Sequence, residues 1–484
     1  LTITSDSPAR QSSGEENVRP LLGARPERGV ENKPDEVEQM KRTVKSISIL
    51  PAYRLKAAVA LAGAALITLG LSAAARADDL AVWDDQTYEG QSAVIEQLNK
   101  EFEAANPGVT IKRTARTFDD MKLTLKLAVS AGDGPVITKV NQGAGDMGAM
   151  VKEGLLLPVD DYIKKYGWDK RQSDSVLARD RWEDGKFGVG KTYGISGLGE
   201  IVGLYYNKKI LGDAGVALPQ TFEELLAGLD KLKEKGVPPF MMGSAKQHLA
   251  LHMIGAIEQA HIDASNRAEL DDLIYGRGGS WNTKGNIESA KLVQQWAQGG
   301  YFFPGFEGIS GDDAVQLFIS GQGAFLISGT WYFGDMQHNP DIGFMAIPAP
   351  KGISKPMSVG GVDLAWAITS LAKTKPTQDV AGAYIDYMVS EKAAETWANA
   401  GYLPATSLAA DAKPKLTPLL SSGIEMWKTL NANDALGHYP DWSSPTMLKT
   451  IDDNTPLLLS GNITPEAFVD AMDKDYQAYL KDKK

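Results

Sequence analysis

The sequence predicts an α/β protein built from two domains or lobes. Two observations carry this. From Leu80 onward, short apolar runs alternate with segments of helical spacing, which is the rhythm of strand–helix–strand units with a mostly parallel sheet. The chain is also long: removing an N-terminal leader that ends at Ala77 leaves 407 of the 484 residues, more than one ordinary core accommodates.

The leader is read from its layout. Lys41, Arg42, Lys45, Arg54 and Lys56 form a positive flank, Ala57 to Leu71 is an apolar run, and Ala75-Arg76-Ala77 is a small-x-small cleavage signal before Asp78. Residues 40–77 therefore read as a secretory signal peptide cleaved after Ala77, with export to the periplasm. An uncleaved anchor is the alternative, but the run falls short of the roughly 20 apolar residues a span needs. Residues 1–39, rich in Glu, Pro and Arg, read as a spurious or disordered extension.

The elements follow in order. Leu80 to Trp83 is a strand; Gly90 to Glu103 is a helix with Val94, Ile95, Leu98 and Phe102 on one side. Asn106-Pro107-Gly108 stops it, and Val109 to Arg113 is a second strand. Asp119 to Ala131 is a helix closed by glycines, Val136 to Val140 a third strand, and Met147 to Glu153 a helix capped by Gly154. A longer strand runs through Ile201 to Tyr205. Thr221 with Glu224 forms a capping box for a helix reaching Glu234. Pro238 to Met242 reads as a strand, Ser265 to Gly300 as largely helical, Asp312 to Ser320 as a helix and Ala324 to Ile327 as a strand. Strands at Ile342 to Ile347 and Asp363 to Ile368 precede helices at Val380 to Val389, Lys392 to Trp397, Leu416 to Leu430, Thr446 to Leu459 and Pro465 to Leu480.

Composition excludes several functions. Leu1 to Ala77 holds 11 of the 50 Lys/Arg and 8 of the 61 Asp/Glu, which leaves 39 and 53 and a net charge of −14 for the rest. That surface argues against nucleic acid and against anionic lipid. With 0 Cys there are no disulfides, thiolate nucleophiles or thiolate metal sites. The 10 Trp and 16 Tyr fall often in loop-like contexts, where aromatic rings line sites more often than cores.

Four ordered segments resemble the extracellular solute-binding proteins of ABC importers, in the maltose-binding-protein-like branch that binds sugars and oligosaccharides. They are Gly134-Pro135-Val136-Ile137 leading to Lys152 through Asp160; Tyr193-Gly194-Ile195 with Leu204 through Lys209 and Pro219 through Leu225; Phe318 through Trp331; and Gly360 through Ala365 followed by Gly401-Tyr402-Leu403-Pro404-Ala405. Val136 stands where the family often carries an aspartate, and no lipobox cysteine is present, which suggests a freely diffusing periplasmic form. The resemblance implies a two-lobed periplasmic-binding-protein fold with a hinge and an interlobe ligand cleft. Lobe one would be 78–198 plus about 360–412, and lobe two about 201–359 plus 413–484. It also implies a carbohydrate ligand, the membrane permease of an ABC importer as partner, a monomeric receptor without cofactor or metal, and no catalysis.

A sugar asks for hydrogen-bonding groups against its hydroxyls and flat apolar surface against its C–H faces, placed on loops at strand ends. Trp83, Asp84, Asp85 and Gln86 follow the first strand, and Asn141 and Gln142 follow the third. A core position is the alternative for Trp83, a helix cap for Asp84 and Asp85, and a turn for Asn141 and Gln142. The resemblance adds Glu200, Gln247, His248, Trp331 as the stacking ring, Gly360 and Gly361 with Asp363 at the cleft edge, and Trp442 as a second platform. His248 and His252 stand four apart, a metal-compatible spacing without a third ligand. Two alternatives remain open: an exported carbohydrate-active enzyme, and a receptor for a polyamine or metal chelate.

Overall fold

The computed structural model describes residues 78–245 and 248–483, with His248 through its backbone alone. The leader, the N-terminal extension, Gln247 and the His248 side chain are expectations that lie outside the described residues. The strands are β1 Asp78–Asp84, β2 Val109–Ala115, β3 Ile137–Val140, β4 Leu156–Leu157, β5 Arg181–Glu183, β6 Lys186–Phe187, β7 Lys191–Thr192, β8 Gly199–Asn207, β9 Phe325–Gly329, β10 Ile342–Met345, β11 Gly360–Val362 and β12 Ala365–Thr369.

Two main sheets result. The first has the order β2-β1-β3-β12-β4. β1 runs parallel to β2 and β3, while β12 is antiparallel to both β3 and β4, so one returning strand interrupts an otherwise parallel sheet. The second sheet is antiparallel and centred on β8. β9 and β10 both pair with Leu204 to Tyr206 and so flank β8 on opposite edges.

Local sequence explains the helices beside the first sheet. Glu89–Ala105 buries Val94, Ile95, Leu98 and Phe102, the expected apolar stripe. Phe118–Ala131 starts where the Thr117 hydroxyl accepts from the Asp120 amide, and stops at Gly132, whose φ of +88° the following turn requires. At Phe222–Glu234 the Thr221 side chain accepts from the Glu224 amide, and the Glu224 carboxylate accepts from the Gln220 amide at 2.8 Å. The box closes one residue earlier than the usual reciprocal bond.

The structure differs from the sequence reading at three places. Pro238 to Met242 forms no strand; Phe240 makes only single bridges, to Phe302 and Phe325. Pro238 and Pro239 lack amide donors, so no ladder extends there. Gly360-Gly361, expected as loop, is strand β11, pairing Gly361 with Glu200 and Gly360 with Ile201. Finally, β5, β6 and β7 form a small separate sheet that sequence patterning did not reveal. Its Trp182 and Phe187 rings stack at 4.5 Å, and Phe187 meets Tyr275 edge-on at 4.9 Å.

Three chain segments pass between the sheets side by side. Ile195 bridges Trp366 of β12, Leu198 bridges Pro404, and the start of β8 pairs with β11. Their backbones are tied by Gly199 N–H to the Leu403 carbonyl (2.9 Å), Asp363 N–H to that of Leu198 (3.1 Å) and Ala405 N–H to that of Gly197 (3.0 Å). This bundle of extended backbone is the covalent link between the two halves.

Gly360 is strained for any other residue. Its φ is +155°, and a Cβ there would collide with the Glu200 carbonyl oxygen, a backbone atom that cannot swing away. Gly360→Ala should cost about 2–3 kcal/mol of unfolding free energy in urea titrations. Gly321→Ala, where φ is +94° but no atom lies within 4 Å, should cost about 1 kcal/mol.

Candidate functional site

A cavity of about 370 Å³ opens where the crossing segments meet the carboxyl ends of β1 and β3. Asp85, Gln86, Asn141, Gln142, Glu200 and Asp363 line its floor, and Trp331, Tyr332 and Tyr439 are among the rings on its walls. Strand ends place the floor: Asp85 and Gln86 follow β1, Asn141 and Gln142 follow β3, and Asp363 sits between β11 and β12.

Beneath the floor lies a buried lysine. Lys139, on β3 and 2% exposed, reaches Asp85 at 2.7 Å and Asp363 at closer range. Burial alone would lower its pKa, but Asp363 and Asp85 outweigh it and hold the ammonium above the ordinary lysine value. Gln86 joins the same knot, donating to Asp363 at 3.0 Å and to Asp85 at 3.2 Å. Gln142 donates to the Asp363 carbonyl at 3.1 Å, and Asn141 to Asp146 at 2.9 Å.

The floor carries more acid than base. Burial pushes the Asp363 carboxyl above the usual carboxylate range, and the Asp85 charge adds to this against the pull of Lys139. Glu200 is raised further, by burial first and then by the Asp363 charge; Lys139 and a hydrogen bond from Tyr439 (3.1 Å) oppose it. Behind Gln142, burial pushes the Asp180 carboxyl up to about 7 against the opposing pull of Gln142, Arg179 and Arg181.

On the far wall the Trp331 ring is partly exposed, with His252 edge-on at 5.3 Å and Tyr332 at 5.9 Å. The Tyr88 and Tyr332 hydroxyls both donate to the Asp312 carboxylate at 2.8 Å. Tyr88 precedes the helix beside the first sheet, whereas Asp312 and Tyr332 belong to the second half, so this contact spans the cleft.

Of the residues singled out from sequence, Asp85, Gln86, Asn141, Gln142, Glu200, Trp331, Asp363 and Trp442 meet at this cavity. Trp442 is only 2% exposed and packs against Phe187 (6.5 Å between ring centres), Tyr439 and the Arg179 guanidinium, so it offers an edge and not an open platform. Four others are placed elsewhere. Asp84 is completely buried and held by both ends of the Arg113 fork at 2.7 and 2.8 Å. Trp83 lies under the Arg116 guanidinium, 3.9 Å from its ring centre. Period-two alternation sends Asp84 to the face opposite Asp85, whereas Trp83 shares the Asp85 face and is kept from the cavity by its contact with Arg116. Gly360 and Gly361 are buried in β11, where Gly361 makes room for the Arg179 guanidinium that donates to the Gly360 carbonyl at 2.6 Å.

Sequence reasoning missed Lys139, Tyr88, Asp312, Tyr332 and Tyr439. A signal for Lys139 exists: a lysine inside a short strand of a parallel sheet, covered on both faces, has to be paired. The tyrosines carry no such mark.

Residues 85–395 match the family model described as bacterial extracellular solute-binding protein. The chain belongs to that family. Among relatives of this solute-binding protein, a multiple sugar-binding protein of Streptococcus mutans is 24% identical over 310 residues, covering 63% of this chain and 70% of that one. The maltodextrin-binding protein MdxE of Bacillus subtilis is 27% identical over 292 residues, 57% and 64% of the two chains. The fold is shared with a chitin oligosaccharide binding protein (TM-score 0.73, 21% identity, 84% of this chain and 99% of that one). It is shared too with the maltose/maltodextrin-binding domain MalE from Bdellovibrio bacteriovorus bound to maltotriose (TM-score 0.65, 19% identity, 84% and 100%). This solute-binding protein is thus two-lobed, and the cavity lies between its lobes.

The raised carboxyls make a pH prediction. A carboxyl whose folded pKa exceeds its unfolded value binds its proton more tightly in the folded state, so stability falls as pH rises through that interval. For Asp180 the interval runs from 3.8 to about 7, and Glu200 and Asp363 act in the same direction. Asp271 is shifted the other way, since His438 and Arg267 overcome its burial, and its contribution is lost only in acid. Burial holds the His438 imidazole down to about 4, so it removes stability as pH falls below 6.5. The ligand-free protein should therefore gain about 1–2 kcal/mol between pH 8 and about pH 6.5 in urea titrations. Asp180→Asn should flatten that slope; an unchanged slope would contradict the assignment.

Proposed function

We propose that this protein is an exported receptor that captures a sugar or oligosaccharide between its lobes and delivers it to the membrane permease of an ABC importer. The observation that carries the reading is the pairing of surfaces inside one cavity. Trp331 offers a partly exposed indole face, while Asp85, Gln86, Gln142, Glu200 and Asp363 offer carboxylate and amide groups on the floor. A pyranose presents C–H faces and hydroxyl edges to such a pair. The sugars for which the Streptococcus and Bacillus relatives are named support the same class.

The receptor works as a monomer, without catalysis. We assign lobe one to 78–198 plus about 360–412 and lobe two to about 201–359 plus 413–484. In support, β1 to β4 and β12 share the first sheet, and the helix Pro418–Ala432 packs on β10 of the second. Export through a signal peptide cleaved after Ala77 would place the receptor in the periplasm. Closure about the three crossing segments brings Tyr88 to Asp312 and shields the ligand from water.

Calorimetric titration of refolded, ligand-stripped protein against mono-, di- and trisaccharides tests this. Micromolar or tighter binding of one sugar class without turnover is expected. Trp331→Ala should weaken that binding by about 1–3 kcal/mol with the fold intact. Hydrolysis of the sugar would overturn the receptor reading, and full affinity in Trp331→Ala would overturn the stacking role.

A further inference from the structure

The floor of the cavity has a charge imbalance that a neutral sugar leaves unresolved. Three carboxyls, Asp85, Glu200 and Asp363, share one ammonium, that of Lys139. Lys139 is engaged by Asp85 and Asp363, and it lies beneath the cavity lining. Glu200 is left with the Tyr439 hydroxyl on one oxygen. Among the described residues that line the cavity there is no lysine or arginine.

The amides point the same way. Gln86 sits between the Asp85 and Asp363 carboxylates, which accept only, so its NH₂ must face them. The Asp363 carbonyl fixes the NH₂ of Gln142 in the same manner. Both side chains line the cavity and are buried, at 3% and 1% exposure, and both leave their carbonyl oxygens without a hydrogen-bond partner. Both oxygens lie beneath the accessible surface, so the amides add the negative ends of their dipoles to the field of the floor.

We infer that the receptor selects a sugar carrying a protonated amine, with the ammonium seated on the floor against the Glu200 and Asp85 carboxylates. An ammonium supplies up to three donors and the second positive charge that the three carboxyls lack. The Trp331 wall then holds the C–H face of the same ring. This rests on the sugar-receptor reading and narrows it to amino sugars with a free amine; acetylation removes the charge.

The test pairs each amine sugar with its hydroxyl and N-acetyl counterparts in calorimetric titrations of the wild-type protein. Glucosamine is set against glucose and N-acetylglucosamine, galactosamine against galactose and N-acetylgalactosamine, and the β1,4-linked glucosamine disaccharide against cellobiose and diacetylchitobiose. Spermidine is included as an amine without a sugar ring. At least one amine sugar should bind tenfold or more tighter than both counterparts, and in Glu200→Gln that ratio should fall toward one. Equal or tighter binding of a neutral counterpart overturns the ammonium assignment and leaves the sugar receptor standing. A tenfold preference that Glu200→Gln preserves overturns the seat proposed for the ammonium. Binding of spermidine with no sugar bound overturns the sugar reading. No binding by any compound overturns both.

Discussion

The ammonium of Lys139, buried between Asp85 and Asp363, is the interaction on which the rest of the site depends. It joins three pieces of chain that have no reason in sequence to meet: the loop after β1, strand β3, and the junction where β11 passes into β12. That junction is one of the three segments linking the two sheets, so the same ion cluster that shapes the cavity floor anchors the crossing to the first sheet. A buried charge of this kind is tolerable only when its partners are in place. The Asp84–Arg113 pair nearby works similarly but ties β1 and β2 to Ser92 and Glu96 of the helix Glu89–Ala105, which explains why two adjacent aspartates have different fates.

Around that pin the two lobes contribute different chemistry. The half built on the first sheet supplies fixed acceptors whose orientation is dictated by the ion cluster; the half built on the second supplies rings, with Trp331 held by its own short helical turn Thr330–Tyr332. The Tyr88, Tyr332 and Asp312 contact spans the mouth. Tyrosine suits this place because its ring packs on an apolar wall while its hydroxyl reaches a carboxylate. Closing such a contact over ligand excludes water, which strengthens each hydrogen bond made on the floor.

Much of this was legible in the sequence. The strand–helix rhythm from β1 to β3, the capped helices and the long strand through Tyr205 followed from period and turn chemistry. So did the placement of Asp85, Gln86, Asn141 and Gln142 at strand ends. What was not legible has a physical reason in each case. Glycines signal turns, but Gly360 and Gly361 serve close backbone approach within a strand, because Arg179 and the Glu200 backbone need the space a side chain would fill. The Pro238-Pro239 run looks apolar and extended, yet without amide donors it makes only single bridges. Asp84 and Asp85 differ by one position, and period-two geometry alone decides which is buried with Arg113 and which faces the cavity. Tyr88, Asp312 and Tyr439 meet their partners across more than two hundred residues of chain, beyond the reach of local pattern.

The most direct test of the account is a double-mutant cycle on Lys139 and Asp363, read by urea unfolding of the ligand-free protein. Lys139→Met leaves three carboxyls without a counter-charge and should cost about 3–5 kcal/mol. Adding Asp363→Asn to it should recover part of that loss, giving a coupling energy of about 1.5 kcal/mol or more between the two sites. A coupling energy near zero, with Lys139→Met as stable as the parent, would contradict the claim that this buried ion cluster organises the floor and the hinge.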